Sequence, residues 1–205
     1  MGPLIHRKAV AEDAAILGPM VYESAPGLFD HCLDVGGLKA LEFLKFSYGR
    51  PGGIFGYEAI NVATMHGDIA VCMTAYPGRD YSQLARGTMA TLVSFYGVLR
   101  LPTLLQRLWP LKGMFDTPSA DSMFMANLCV TEPLRGNRLF TELFDQAIAE
   151  GKELGLAKLE FDVSDNNPNA ERAYRKYGFV EVHYRPYQGQ LDLPGFRRME
   201  LPLDD

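Results

Sequence analysis

Cysteine and histidine, the residues that most often hold structural metals, are scarce in this sequence. Its 205 residues include three cysteines and four histidines. The cysteines form no C-x-x-C pair and no cluster with histidine, so we predict neither a disulfide framework nor a zinc site. The histidines are scattered without an i, i+4 pair, which gives no support to metal catalysis. An odd number of separated cysteines favours a reducing, cytoplasmic location.

The chain also lacks an excess of basic over acidic residues and lacks long apolar runs. The 20 lysines and arginines are outnumbered by 25 acidic residues, and a net charge of −5 argues against a surface for nucleic-acid phosphates. The most apolar tract, residues 88–99, is shorter than the about 20 residues that cross a bilayer. The first ten residues lack the apolar core of a signal peptide. We predict a soluble chain with no nucleic-acid or membrane partner.

Familiar catalytic and nucleotide-binding signatures are absent as well. No G-x-S-x-G elbow, Walker motif or G-x-G-x-x-G turn occurs in the chain. The glycine-rich stretch YGRPGGIFGYE is not followed by a helical pattern, and we predict that it is a loop. Function must therefore be sought in the order of the strands and helices.

Apolar periodicity predicts an α/β (α+β) fold in which a mixed sheet is flanked by helices. The order is β-α-α-β-β-insertion-β-α-β-α-β-β, and the chain length fits one domain over residues 1–205. Helical spacing in residues 77–121 is repeatedly broken by proline and glycine, so we predict a helical insertion between the third and fourth strands. The strands are predicted at 4–10, 59–65, 69–76, 123–130, 158–163, 180–184 and 197–203, and the helices at 12–23, 38–46, from 138 and at 168–177.

Two stretches in the second half carry a family resemblance. They read NLCVTEPLRGNRLFTELF, from residue 127, and LEFDVSDNNPNAERAYRKYGFVEV, from residue 159. The spacing Asn167-x-x-Ala170-x-x-x-Tyr174-x-x-x-Gly-Phe after a strand is the strongest signal. Together they resemble the core of the GNAT superfamily of N-acetyltransferases. The resemblance implies a mixed, mostly antiparallel central sheet and acetyl-CoA as co-substrate, without a metal.

The turn after the fourth predicted strand only partly follows the family pattern Arg/Gln-x-x-Gly-x-Gly/Ala. Arg135 matches its first position, whereas Arg138 and Phe140 stand where small residues are expected. On these residues alone, an ordinary amphipathic helix is the simpler interpretation. Phe140 can turn inward toward Phe144, one helical turn later. The resemblance implies that the pyrophosphate is held at this helix start, mainly by backbone N–H groups. The cofactor-binding residues of this turn are Arg135, Gly136, Asn137, Arg138, Leu139 and Phe140.

Further site residues are implied by the resemblance. Tyr174 matches the general acid that protonates the departing thiolate, although its helical spacing equally fits a core tyrosine. Asn167 matches the residue that bonds the pantetheine arm, and it could also simply cap the helix. Ala170 lies on the same cofactor-binding helix. The backbone of Leu128, Cys129 and Val130 would bond pantetheine and polarise the thioester.

The resemblance implies an N-acetyltransferase that moves an acetyl group directly to a primary amine of a small molecule or peptide. Glu58 or Asp121 could accept the proton of the amine, directly or through water. The alternatives are a catalytically inactive acyl-CoA-binding module and a dimeric scaffold. The insertion could serve as a lid over the acceptor, as a homodimer contact or by packing on the domain, whereas Arg100 and Arg107 are too few cations to favour a membrane. Its apolar residues available for burial are Phe95, Tyr96, Leu104, Leu105, Leu108 and Trp109.

Overall fold

A seven-stranded sheet forms the centre of the computed structural model, which describes residues 3–135, 139–189, 191 and 193–203. The strands lie in the order β1-β2-β3-β4-β5-β7-β6, and only the β4–β5 pair is parallel. The predicted mixed, mostly antiparallel sheet is therefore confirmed. The strand bounds are β1 Ile5–Lys8, β2 Ile60–Met65, β3 Asp68–Pro77, β4 Ser122–Val130, β5 Lys158–Ser164, β6 Val180–Arg185 and β7 Phe196–Pro202.

Helices cover both faces of the sheet and enclose two apolar clusters. Five helices pack on one face: α1 Ala14–Tyr22, α2 Pro26–Leu33, α3 Ala40–Tyr48, α4 Tyr81–Tyr96 and α5 Leu101–Leu108. The other face carries α6 Phe140–Glu153 and α7 Pro168–Tyr177. Helix α2 is absent from the sequence-based prediction, which has two helices before the second strand. It is only 8 residues long and starts with Pro26-Gly27, where glycine weakens a helical pattern although proline suits the first turn.

Close packing of α1 on α3 explains why residue 18 is glycine. Helix α1 continues through Gly18 and Pro19 to Tyr22. A Cβ atom on Gly18 would stand 2.6 Å from Lys45 Cγ and 3.2 Å from the Lys45 backbone nitrogen. The absence of a side chain at Gly18 therefore lets the two helix backbones approach each other.

The predicted helical insertion between β3 and β4 is confirmed, and α4 and α5 form most of it. Phe95, Tyr96, Leu104 and Leu108 pack into the first apolar cluster, and the Tyr96 hydroxyl donates to the Leu33 carbonyl at 2.6 Å. The expectation of burial is wrong for Leu105 and Trp109, because they lie on the helix face turned away from the sheet. Among the helices that the structure describes, none alone is long and apolar enough to cross a membrane; Gly78–Tyr96 and Val98–Leu111 meet that test only as a pair bent by 104°.

Candidate active site

The candidate site lies where β4 and β5 separate. Their parallel ladder runs from Ser122–Lys158 to Met125–Phe161, whereas β4 continues to Val130 and β5 to Ser164. Beyond that last pair the two strands diverge. The backbone of the second half of β4 thus borders an opening in the sheet, and an extended chain could bond to it there as a further strand would.

A β-bulge shapes this part of β4. Cys72 pairs with Cys129 and Thr74 with Ala126, so Met73 of β3 faces two residues of β4. At the bulge, Asn127 has a positive φ of 50°. Its side-chain amide donates to Thr74 Oγ1 at 3.1 Å, which anchors this unusual backbone. The bulge redirects the side chains that follow.

After the bulge, the three predicted residues of β4 alternate between the two faces of the sheet as in a regular strand. Leu128 and Val130 pack against the cluster under α6 and α7. Cys129 is buried in the cluster under α1 to α5. Their backbone groups lie along the opening, where the resemblance requires them.

Tyr174 lies beside the opening, on α7. Its ring makes an edge contact with Phe161 at 4.8 Å between centroids and contacts Phe144 at 5.8 Å. Burial, with a smaller contribution from Cys129, raises the pKa of Tyr174 to about 12. The phenol is therefore neutral at pH 7 and able to donate a proton.

Cys129 lies near polar groups of β3, of the α1–α2 connection and of the turn after β4. Hydrogen bonding by Cys72 lowers the pKa of Cys129, against the opposing effect of burial. Ser24 and the charge of Arg135 act in the same direction on the pKa of Cys129, whereas the charge of Glu23 raises it. The opening thus has Tyr174 on one side and the α1–α2 turn on the other.

Ser24 and Glu23 are site neighbours that the sequence did not identify. They lie in the short connection between α1 and α2, and the Ser24 hydroxyl donates to the Val21 carbonyl at 2.6 Å. The polar break ESAPG between two apolar helices was the available signal. It marks a turn, but only tertiary packing brings that turn against β4.

The turn that the sequence analysis singled out lies between β4 and α6 in the chain. Arg135 donates through Nε to the Val130 carbonyl at 3.3 Å, and Leu139 is buried immediately before the helix. Three predicted cofactor-binding residues, Gly136, Asn137 and Arg138, lie outside the described residues.

Phe140 begins α6, and its ring turns toward the protein interior. It makes edge contacts with Phe144 at 5.6 Å and with Tyr174 at 6.1 Å between centroids. The ring packs against the cluster under α6 and α7. The orientation expected from the Phe140–Phe144 spacing is confirmed, and it directs the ring away from solvent at the helix start.

Asn167 is the N-cap of α7. Its side-chain oxygen accepts a hydrogen bond from the Ala170 backbone N–H at 3.2 Å, while the Ala170 side chain packs against the same apolar cluster. The capping role is therefore present. Because the cap uses only the oxygen, the amide N–H₂ group is the part of Asn167 suited to a ligand carbonyl.

The two predicted bases lie at the opposite end of β4 from the opening. Glu58 precedes β2 and accepts the Gly52 N–H at 3.1 Å. Asp121 immediately precedes β4, and its carbonyl accepts the Ala157 N–H at 2.7 Å. The structure does not bring either carboxylate together with Tyr174. Within the described ranges, no group of three or more His, Cys, Asp or Glu side chains could hold a metal ion.

A buried ion cluster lies on the face of β5 opposite Tyr174. Arg198 bonds Asp162 through Nε at 2.6 Å and through Nη2 at 2.9 Å, and it also bonds Glu160. Burial would raise the pKa of Glu160, but hydrogen bonds from Ser122, the Ser119 N–H and Arg198 outweigh it and lower that pKa. Arg198 Nη2 also donates to the Asp116 carbonyl at 2.8 Å. The cluster therefore fastens the end of the insertion to the sheet.

A groove of about 400 Å³ lies beside this fastening. One wall is the end of the insertion, including Lys112 and Met114. The other wall runs from His183, within β6, to Gly189. The insertion thus contributes to a concave surface next to the β6–β7 connection.

Known families and structures provide an independent comparison. Residues 104–179 match the sequence model of the Acetyltransferase (GNAT) family. No curated protein sequence matches the chain. Of the solved structures, 292 chains match.

Three of these structures illustrate the likeness. A crystal structure described as an acetyltransferase has a TM-score of 0.70 and 18% identity, over 98% of this chain and 100% of that one. An N-acetyltransferase from Staphylococcus aureus Mu50 has a TM-score of 0.68 and 17% identity, over 96% and 100%. YncA from Salmonella typhimurium, solved with its cofactor acetyl-CoA, has a TM-score of 0.59 and 13% identity, over 100% and 96%. At these identities the likeness establishes the fold, and with the family match it confirms the resemblance drawn from residues 127–182.

Proposed function

From the GNAT fold and the GNAT-family segment of this chain, we propose that the protein transfers an acetyl group from acetyl-CoA to a primary amine. The observation that carries the proposal is the position of Tyr174. Its neutral, partly buried phenol borders the opening between β4 and β5, where a thioester bound along β4 would meet it. Transfer is direct, within a complex that holds acetyl-CoA and the amine together.

The described residues suit acetyl-CoA. The backbone of Leu128, Cys129 and Val130 would bond the pantetheine amides along the opening, and Asn167 would add its amide. Arg135 and the backbone N–H groups at the start of α6 would hold the pyrophosphate, since helix N-termini favour anions. The Phe140 ring points inward and therefore does not itself occupy the space at that helix start. The acetyl-CoA-bound YncA structure, which shares the fold, supports this choice of co-substrate.

Residues on the two sides of the opening have different roles in the proposed reaction. Acetyl-CoA supplies the activated acetyl group. A backbone N–H of β4 polarises the thioester carbonyl, and Tyr174 donates its proton to the departing sulfur. Glu23 of the α1–α2 turn, whose charge acts on Cys129, would accept the amine proton directly or through water. Glu58 and Asp121, the bases expected from the sequence, lie at the other end of β4.

The acceptor is a small-molecule or peptide amine, reached from the face that carries α1, α2 and the groove beside the insertion. A net charge of −5 is compatible with a cationic amine. A cytoplasmic location and the absence of a metal requirement belong to the same proposal.

The test is release of the coenzyme A thiol over a panel of amines, followed by initial-rate measurements with both substrates varied. Direct transfer predicts intersecting double-reciprocal lines and retained activity in Cys129→Ser. Parallel lines, with loss of activity in Cys129→Ser, would instead indicate an acyl-enzyme on Cys129. Acetyl-CoA binding without turnover on any amine would favour the binding module.

A further inference from the structure

Four large apolar side chains of the insertion stand in solvent. Val98 is 67% exposed, Leu99 91%, Leu105 52% and Trp109 69%. We call these four residues the exposed stripe. None of them takes part in the proposed chemistry.

The exposed stripe follows helical geometry. Three of its members, Val98, Leu105 and Trp109, are spaced i, i+7 and i+11 along α5 and the short helical turns that flank it, which places them on one side. The adjoining side, with Leu101, buried Leu104 and Leu108, packs against the first apolar cluster. The apolar surface of this helix is thus wider than the part that the cluster covers.

The segment that carries the stripe differs in charge from the rest of the chain. Residues 81–115 contain four lysines and arginines and no acidic residue, although the whole chain has a net charge of −5. Arg107 of this segment donates to the His31 carbonyl of α2, so Lys112 is the cation placed at the stripe itself. Lys112 Nζ lies 4.7 Å from the centre of the Trp109 ring. A tryptophan and a cation beside exposed leucines are typical of a surface that meets the boundary between lipid headgroups and acyl chains.

The geometry points to an anionic lipid bilayer as the occupant of this surface: we propose that the exposed stripe docks the protein onto a negatively charged membrane. A second copy of the chain fits less well, since a stable interface takes about 20–30 residues from each partner. The expectation of no membrane partner counted only Arg100 and Arg107 and assumed that Leu105 and Trp109 are buried. This docking goes beyond the proposed acetyl transfer and leaves its chemistry unchanged.

The chain has a single tryptophan, so Trp109 reports on the stripe directly. We would measure Trp109 emission and flotation with vesicles of phosphatidylcholine alone and of phosphatidylcholine mixed with phosphatidylglycerol. The proposal predicts flotation and a shift of emission to shorter wavelength with the anionic vesicles only. Lys112→Glu should weaken that binding about tenfold, because it reverses a charge next to the surface.

The double variant Leu99→Asp/Leu105→Asp should abolish binding, and Ile16→Asp, which changes an exposed residue of α1, should not. An unchanged thermal midpoint establishes that each variant is folded. Absence of wild-type flotation, equal binding to both vesicle types, or full binding by the double variant would overturn the proposal. So would a lipid-independent dimer that the double variant dissociates, because the stripe would then join two copies.

Discussion

The proposed cofactor-binding segment, residues 122–179, and the insertion, residues 77–121, differ in how their apolar residues are used. In the cofactor-binding segment the apolar residues of α6 turn inward, and Phe140, Phe144 and Tyr174 form one contacting group of rings. In the insertion, one helix side is buried while Leu99 and Trp109 remain 91% and 69% exposed.

The difference shows what a local pattern can and cannot determine. Helical spacing predicts that a segment is helical and that one side is apolar. It identifies the buried side only when the opposite side is polar, as in α6. The apolar surface of α5 is wider than the part that is covered, so the neighbouring elements decide which residues are buried.

The largest expected effect concerns the buried Arg198 ion cluster, which links the two regions. Arg198→Ala should lower the free energy of unfolding by about 3–5 kcal/mol, because Glu160, 2% exposed, and Asp162 would lose their buried counter-charge. Denaturant unfolding measures this loss. Arg175→Ala is the matched control: its ion pairs with Glu171 and Glu181 are on the surface, so at most about 1 kcal/mol should be lost. Equal losses in the two variants would contradict a buried fastening of the insertion.

The next effect concerns the proposed cofactor-binding segment alone. Tyr174→Phe should lower kcat about 10²–10³-fold, since it removes the proton donor but keeps the ring contacts with Phe161 and Phe144. Steady-state kinetics with acetyl-CoA and an amine substrate measures it. Tyr177→Phe, one turn later on α7, removes a hydroxyl bonded to Asp145 and should leave kcat nearly unchanged. An unchanged kcat in Tyr174→Phe, with chemistry rate-limiting, would remove Tyr174 from the mechanism.

A smaller effect is expected at the start of α6. Phe140→Leu should cost about 1 kcal/mol of stability through lost ring contacts, while the Kd for acetyl-CoA stays within about twofold. Thermal unfolding and calorimetric titration test the two parts. If the substitution tightened binding about tenfold, the ring would be occupying ligand space, contrary to its inward orientation.

The smallest expected effect concerns the pH dependence of kcat, which should show no decrease caused by ionisation of Tyr174. The neutral phenol is the active form and is present below its pKa, which burial raises to about 12. An ordinary tyrosine would be half ionised near pH 10, so kcat limited by it would fall there. We expect no such fall in kcat between about pH 8 and about pH 10. A descending limb within that range that disappears in Tyr174→Phe would show that the phenol ionises normally.

Sequence reasoning predicted the strands, the insertion and the positions of Tyr174 and Asn167, because each follows from local periodicity or from a motif within one helix. It missed α2, where Pro26-Gly27 obscures a short helix, and it missed Ser24 and Glu23. Those two residues approach Cys129 only because α1 packs across β4. Such contacts between distant segments leave no periodic signal in the chain.

The most direct test of the central claim, that the turn after β4 holds acetyl-CoA, is calorimetric titration of acetyl-CoA and of 3′-dephospho-CoA. Wild type and Arg135→Glu would be compared. Recognition of the pyrophosphate predicts micromolar binding of both ligands to wild type and loss of both in Arg135→Glu, which places a carboxylate beside the helix start. No detectable heat at millimolar acetyl-CoA, or equal binding by Arg135→Glu, would contradict the account.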